Sequence, residues 1–353
     1  MKVENSTIDK LDIRSLSLEM LTTHMKEAGE PTFRARQVYE WLWKKSCNDF
    51  EDMTNLSLKL RAWLESHYEF RNIQLEEEKV SSDLTIKSTF RLYDGNLIEG
   101  VLIPTENRMT ACISSQVGCS LSCKFCATGY LERQRNLTPA EIYDQVVLIR
   151  KQAEKFYQKP LTNIVFMGMG EPLLNYANVM EGIDLITSPE GLDISTKRIT
   201  LSTAGIAKMI KKLADDQVRF NLALSLHAAS DEKRNQIMAI NETNSLDALQ
   251  KALQYFYNKT RNKITFEYIV FHQFNDSIRD ARQLYEITKR VPSKVNLIEY
   301  NPISQASFTN TTEDRLTSFS EFLLKKGVSV SLRRSRGKDI DAACGQLAGK
   351  KTS

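Results

Sequence analysis

The sequence predicts an α/β fold: an open, partial (β/α)6 barrel with a small N-terminal helical domain (1–70) and a short β extension (71–104) leading into it. Three observations carry this reading. From about residue 110, apolar β-type runs alternate with helical stretches, the signature of parallel βα units. The first 70 residues carry apolar stripes at helical spacing. Between them, "SDLTIKSTFRLYDGNLIEGVLIP" is rich in β-branched and aromatic residues around Asp94-Gly95, a hairpin signal.

In order along the chain, "LSLEMLTTHMKEAGE" reads as a helix running to a glycine, as helices often do. "FRARQVYEWLWKK" places Val38, Trp41 and Leu42 on one face, and "LSLKLRAWLESHY" does the same with Leu56, Leu60, Trp63 and Leu64. Six strands are expected in the barrel, 105–353: 111–116, 163–168, 197–203, 219–227, 263–271 and 294–300. Helices such as 138–156 and 277–290 lie between them. Six units suit an open partial barrel better than a closed eightfold one, while a doubly wound open sheet competes on pattern alone. Either layout binds ligands at the carboxyl ends of its strands.

No stretch approaches the roughly 20 apolar residues of a membrane span, and "MKVENSTIDKLDIRSL" lacks the apolar core of a signal peptide. A cytoplasmic protein is expected. Its net charge of +4 is compatible with a polyanionic partner without demanding one. Six cysteines in a chain of 353 residues do not suggest a disulfide framework in a reducing compartment. Tight clustering points instead to metal or redox chemistry.

"CSLSCKFC" places Cys119, Cys123 and Cys126 just after the first barrel strand. Structural zinc favours four protein ligands, and Cys112 lies upstream as a candidate fourth. An iron–sulfur cluster also normally takes four thiolates; held by three, it leaves one iron open to a small molecule. Further polar groups fall where strands should end, in "GMGEPL", "LSTAG", "LSLHA" and "YNP". Each alone reads equally well as a turn or helix cap, and "GMGE" is not a dinucleotide fingerprint. Four such loops converging on the cysteines make a site. Near the C-terminus, Cys344 sits among small residues beside Arg333, Arg334 and Arg336. It reads as an inert buried cysteine or as a thiol activated by nearby cations.

The Cys-x3-Cys-x2-Cys spacing with Phe125 before its last cysteine resembles the radical S-adenosylmethionine superfamily motif. Adding "CISSQVGCSLSCKFCATG", "RNLT", "FMGMGEPL", "SLHA", "VNLIEYNP" and "DIDAACGQLAG", in that order, the chain resembles the radical methyltransferases that methylate carbon 2 of adenosine in RNA. The resemblance covers nearly the whole chain, from "FRARQVYEWLWKK" to "GQLAG". It implies a radical-SAM barrel and action on 23S ribosomal RNA at the peptidyl transferase centre, and on tRNA beside the anticodon.

By resemblance, Cys119, Cys123 and Cys126 hold a [4Fe–4S] cluster whose open iron chelates S-adenosylmethionine. Phe125, Gly170, Glu171, Ser202, Ser225, His227 and Asn301 match cofactor-binding positions, Cys344 the methyl-carrying cysteine, Cys112 its transient disulfide partner, and Glu99 the general base. Cys47 matches no role and reads as structural. The chemistry gives its own reason for a carrier thiol. Carbon 2 of adenine lies between two ring nitrogens and is a poor nucleophile. A thiolate takes the methyl of S-adenosylmethionine readily. A deoxyadenosyl radical then removes a hydrogen from that methyl, and the resulting carbon radical adds to the ring. A base removes the ring proton, and a second thiol frees the product.

For RNA contact, Arg34, Arg36, Lys44 and Lys45 beside Trp41 and Trp43 suit phosphate binding and stacking, or else form the solvated face of a packed helix. A reducing electron-donor protein and a monomeric state complete the expectation. The rival enzyme is a carbon-8 adenosine methyltransferase of the antibiotic-resistance type. "SSQVGC", "GMGEP" and "RRSRGKDI" favour carbon 2. The rival of another class is a non-catalytic, zinc-stabilised RNA-binding protein, colourless where the enzyme is brown and oxygen-sensitive.

Overall fold

The computed structural model describes residues 10–349. Residues 1–9, the start of the segment in which no leader was read, lie outside the described residues. Three helices come first: α1 (Leu18–Glu27), α2 (Phe33–Trp43) and α3 (Leu58–His67). Ser17 and Ser57 cap α1 and α3 by accepting from Met20 N and Leu60 N, satisfying donors that a helix start leaves open. Leu21, Met25, Val38, Leu42, Leu60 and Leu64 form their buried faces.

A ten-stranded sheet follows, and its spatial order is its sequence order. Strands β1 (Gln74–Val80), β2 (Ile86–Arg91), β3 (Leu97–Thr105) and β4 (Arg108–Ile113) pair antiparallel in succession. From β4 onward the pairing is parallel: β5 (Asn163–Phe166), β6 (Ile199–Thr203), β7 (Asn221–Ser225), β8 (Ile264–Val270), β9 (Ser293–Glu299) and β10 (Ser329–Arg333). The crossovers run through α4 (Pro139–Tyr157), α5 (Tyr176–Thr187), α6 (Ala207–Asp215), α7 (Asp231–Ile237) with α8 (Leu246–Thr260), α9 (Ile278–Thr288) and α10 (Glu313–Lys325).

That order decides between the two layouts. A doubly wound sheet reverses direction at a switch point. Here every parallel strand adds on the same side of the last, and right-handed crossovers then put all helices on one face. The sheet curves into an open barrel of six βα units and a closing seventh strand. The seventh, β10, was not expected: its side chains are mostly exposed, so "SVSLR" lacks the apolar run of a buried parallel strand. The first barrel strand also begins and ends three residues earlier than expected. The β extension is continuous with the barrel sheet, since β3 hydrogen-bonds to β4.

The N-terminal helices dock on α4. The Tyr143 hydroxyl contacts Ser46 Oγ at 2.6 Å and donates to the Trp43 carbonyl. Arg14 pairs with Asp144 at 2.7 Å. After β10 the chain returns across the mouth of the barrel. Arg336 donates to the Asp83 and Pro104 carbonyls, and Gly337 N to Asp83 Oδ2 at 3.0 Å. Among the described residues no helix is long and apolar enough to cross a membrane.

Candidate active site

The cysteine loop is stapled at its base. Gln116–Val117 pairs antiparallel with Arg135–Asn136, and Gln134 N donates to the Val117 carbonyl at 2.9 Å. Gly118 holds φ +74, where a Cβ would stand 2.2 Å from the Glu132 carbonyl oxygen; glycine alone fits. A Cβ on Gly129 would stand 2.7 Å from the Cys123 carbonyl oxygen. The loop therefore wraps tightly, and Cys119, Cys123 and Cys126 all face one cavity of about 920 Å³ at the carboxyl ends of the strands.

Burial pushes all three thiols up: Cys119 to about 11, with Cys123 and Cys126 also raised. Cys119 and Cys126 repel Cys123 electrostatically, and the Arg234 guanidinium opposes this. Three thiolates enclosed together thus call for a positively charged occupant. Among the described residues no three His, Cys, Asp or Glu side chains are placed to hold a single metal ion. A cubane places fewer demands on convergence, because each thiolate takes a different iron. The donor set fits a cluster.

The loops after β5 and β7 bring Gly170, Glu171 and His227 to the same cavity, the carboxyl ends of β6 and β7 bring Ser202 and Ser225, and Phe125 lines it from the cysteine loop. Glu171 is buried, and its carboxylate accepts from Leu173 N at 3.1 Å and Ala204 N at 2.7 Å. Burial raises its pKa while those amides oppose the shift. Ser202 and Ser225 hydroxyls lie 3.3 Å apart. His227 adopts φ +53, packs edge-on against Phe125 at 4.7 Å, and accepts from Ile269 N through Nδ1 at 3.1 Å. Burial, then the Arg234 charge, lowers its pKa to about 3. It is neutral, and its Nε2–H is the remaining donor.

Of the other expected residues, Asn301, Glu99 and Cys112 do not line this cavity, whereas Cys344 does. Asn301 is buried; its Nδ2 donates to the Cys344 carbonyl at 3.1 Å, while its Oδ1 has no partner among the described residues. Glu99 is buried on β3 with both oxygens engaged, Oε1 by Lys87 Nζ at 3.0 Å and Oε2 by Ala348 N at 2.7 Å. Cys112, at the end of β4, lines a second cavity of about 1070 Å³ with Arg333, Arg334 and Arg336. Cys344 borders both cavities. Its sulfur is open to the space they enclose, yet protein walls surround it. That enclosure pushes its thiol to about 11 against the pull of Arg333. Burial and the nearby Cys344 push Cys112 to about 12.

Comparison with known proteins decides the family. The chain is 61% identical over 348 residues to "Probable dual-specificity RNA methyltransferase RlmN" of Cytophaga hutchinsonii, covering 99% of this chain and 95% of that one. The chain belongs to the RlmN family. The "Dual-specificity RNA methyltransferase RlmN" of Geotalea uraniireducens is 44% identical, over 97% of this chain and 98% of its own. Residues 11–70 match the family described as ribosomal RNA large subunit methyltransferase N-terminal domain, and residues 113–285 the radical SAM superfamily. A crystal structure of a radical SAM methyltransferase from Sphaerobacter thermophilus superposes with a TM-score of 0.91 at 36% identity, covering 96% of this chain and all of that one. The protein is a radical SAM methyltransferase. That superfamily implies S-adenosylmethionine and an iron–sulfur cluster, which the donor set above suits.

Three features of this RlmN-family chain, two of them at the site, escaped the sequence. Arg234 is fully buried and donates to the Ala204, Leu226 and Ser225 carbonyls and to Asn241, tying two site loops together. On a charged amphipathic stretch it carries no sequence signal. Glu267 lines the thiol cavity, accepts from Asn296 and pairs with Arg333 at 3.3 Å. A carboxylate inside the wholly buried run "ITFEYIV" was the available sign. Trp43 is buried against Tyr143 at 5.1 Å, so it does not present a face for base stacking. Trp41 is half-buried, with Lys45 Nζ 3.6 Å from its ring centre.

Proposed function

We propose that this chain methylates carbon 2 of adenosine in 23S ribosomal RNA, and in tRNA next to the anticodon, through a methyl group carried on Cys344. The observation that carries the reading is the double exposure of Cys344, to the three-thiol cavity on one side and to the arginine-lined Cys112 cavity on the other. Cys119, Cys123 and Cys126 would hold a [4Fe–4S] cluster, and Phe125, Gly170, Glu171, Ser202, Ser225, His227 and Asn301 would hold S-adenosylmethionine. Bound there, the pair supplies a 5′-deoxyadenosyl radical.

The residues divide the remaining work. Arg333 opposes the burial that disfavours the Cys344 thiolate, and a thiolate is the form that accepts a methyl. Arg333, Arg334 and Arg336 suit RNA phosphate at the second cavity. Glu99 takes the carbon-2 proton once its two present partners are displaced. Once the adduct has also given up its odd electron to the redox partner, the Cys112 thiolate attacks the Cys344 sulfur; the carbon–sulfur bond breaks with its electron pair going to the ring methylene, which takes up a proton to become the methyl, and the resulting disulfide must be reduced before the next turnover. The target base has to leave its stack to enter. An electron-donor protein, a cytoplasmic setting and a monomeric state belong to the same reading.

The test is anaerobic reaction of reduced, cluster-loaded protein with 23S RNA, followed by mass spectrometry of the nucleosides. Release of 5′-deoxyadenosine together with 2-methyladenosine is expected. 8-Methyladenosine would move the reading to the carbon-8 enzymes, and no deoxyadenosine at all would overturn it.

A further inference from the structure

At the opposite end of the barrel, the loops leading into β6, β7 and β8 surround an open depression of about 840 Å³. Lys197, Arg219 and Lys259 line it together with Thr196, Thr260 and Gln217. Among the described residues no carboxylate lines it, and none of the three cations forms an ion pair. Lys259 Nζ lies 5.6 Å from the centre of the Tyr255 ring, whose hydroxyl donates to Asp215 at 2.5 Å, and Asp216 pairs with Lys212 at 3.1 Å. Arg198, Arg261 and Lys263 add exposed charge on the same loops.

The loops are held in place rather than loose. Asn221 Nδ2 donates to the Lys197 carbonyl at 2.9 Å and the Ile199 carbonyl at 3.0 Å. Asn262 Nδ2 donates to the Val218 and Phe220 carbonyls, each at 3.3 Å. Three exposed cations thus line one depression whose lining has no carboxylate, and the Thr196 hydroxyl and Gln217 amide add hydrogen-bond donors. That is a donor set for an anion with several oxygens, and phosphate is such an anion.

We infer that this depression binds the phosphate backbone of an RNA segment remote from the one carrying the target adenosine. The inference rests on RNA being the substrate, as proposed above. The strands between the two ends are five residues long in β6 and β7, which at about 3.3 Å per residue separates depression and thiol cavity by roughly 17 Å through the barrel. The path around the outside is longer. A long folded ribosomal RNA spans it; a short hairpin holding the target base does not.

The experiment uses the full-length, cluster-loaded protein and the triple variant Lys197→Gln, Arg219→Gln, Lys259→Gln. Dissociation constants are measured across a salt series for a long 23S RNA domain and for a short hairpin with the same target adenosine. The variant should bind the long RNA about tenfold or more weakly, with its log–log salt slope reduced by about 2 to 3, since each lost phosphate contact removes 0.7 to 0.9. Hairpin affinity should be unchanged. An unchanged affinity and slope for the long RNA would overturn the inference, as would an equal loss on both RNAs. Should the triple variant melt early, Lys197→Gln and Arg219→Gln singly carry the same comparison, each with a slope change of about one. Wild-type protein that bound neither RNA would sink the functional reading and this inference together.

Discussion

Cys344 opens onto both cavities at the barrel mouth, whereas Cys112 opens onto the outer one alone. The two thiols are near enough for each other's charge to be felt at Cys112. Under the proposed roles this arrangement would separate loading from release: Cys344 would meet the cofactor side first and the RNA side next, with Cys112 on the RNA side alone.

On the proposed roles, replacing Cys112 should block release and not loading. Cys112→Ala should accumulate protein covalently joined to RNA, seen as a nuclease-sensitive shift on denaturing gels. Recovery of free RNA alone from a variant that still releases 5′-deoxyadenosine would count against the assigned role.

Lys87 and Glu99 form a nearly buried ion pair, and Lys87 Nζ also donates to the Asp341 carbonyl at 3.1 Å. Lys87→Met leaves a buried carboxylate unpaired and should cost about 3–5 kcal/mol in urea unfolding. Adding Glu99→Gln should recover a large part of that loss. If the double variant is no more stable than Lys87→Met, the two side chains are not coupled.

His227 gives a pH dependence with a defined sign. Its folded pKa of about 3 lies below the ordinary value of 6.5, so the unfolded chain binds the extra proton between these limits. Stability from this residue is fully present above about pH 6.5 and falls as pH drops toward 3, by at most about 1.4 kcal/mol per pH unit. His227→Asn keeps an acceptor for Ile269 N, tolerates positive φ and removes the titration. The variant's melting temperature should decline less steeply than the wild type's from pH 6.5 to 4.5. Parallel declines would show that the acid sensitivity arises elsewhere.

The unpartnered Asn301 Oδ1 is a buried acceptor, a vacancy that costs about 1–3 kcal/mol until a donor fills it. If the amino acid or ribose part of S-adenosylmethionine fills it, Asn301→Ala should weaken cofactor binding about tenfold or more in equilibrium dialysis of cluster-loaded protein. Unchanged affinity would restrict Asn301 to holding the Cys344 carbonyl.

Much of this was legible in sequence because local rules agree with the fold. The three cysteines sit on one short loop, and the polar ends of β5, β6 and β7 each follow an apolar run, so spacing alone brought them together. What stayed hidden depends on distant contacts. Glu99 can be found on its strand, but its cover comes from Lys87 on the neighbouring strand β2 and from Ala348, in a tail about 250 positions away. The burial of Trp43 depends on Tyr143 in another helix, and helical spacing could not choose between packing and display. Strand β10 pairs only at the sheet edge, where exposure removes the apolar pattern that marks inner strands.

The carrier role of Cys344 is tested most directly with S-adenosylmethionine bearing a CD3 methyl group. If the methyl rides on Cys344 and loses one hydrogen to the deoxyadenosyl radical before joining the ring, mass spectrometry should find CD3 on the Cys344 peptide when RNA is withheld. The 2-methyladenosine product should then retain two deuterons, with the third in 5′-deoxyadenosine. A product keeping all three deuterons, or a Cys344 peptide that never gains the label, would contradict the account.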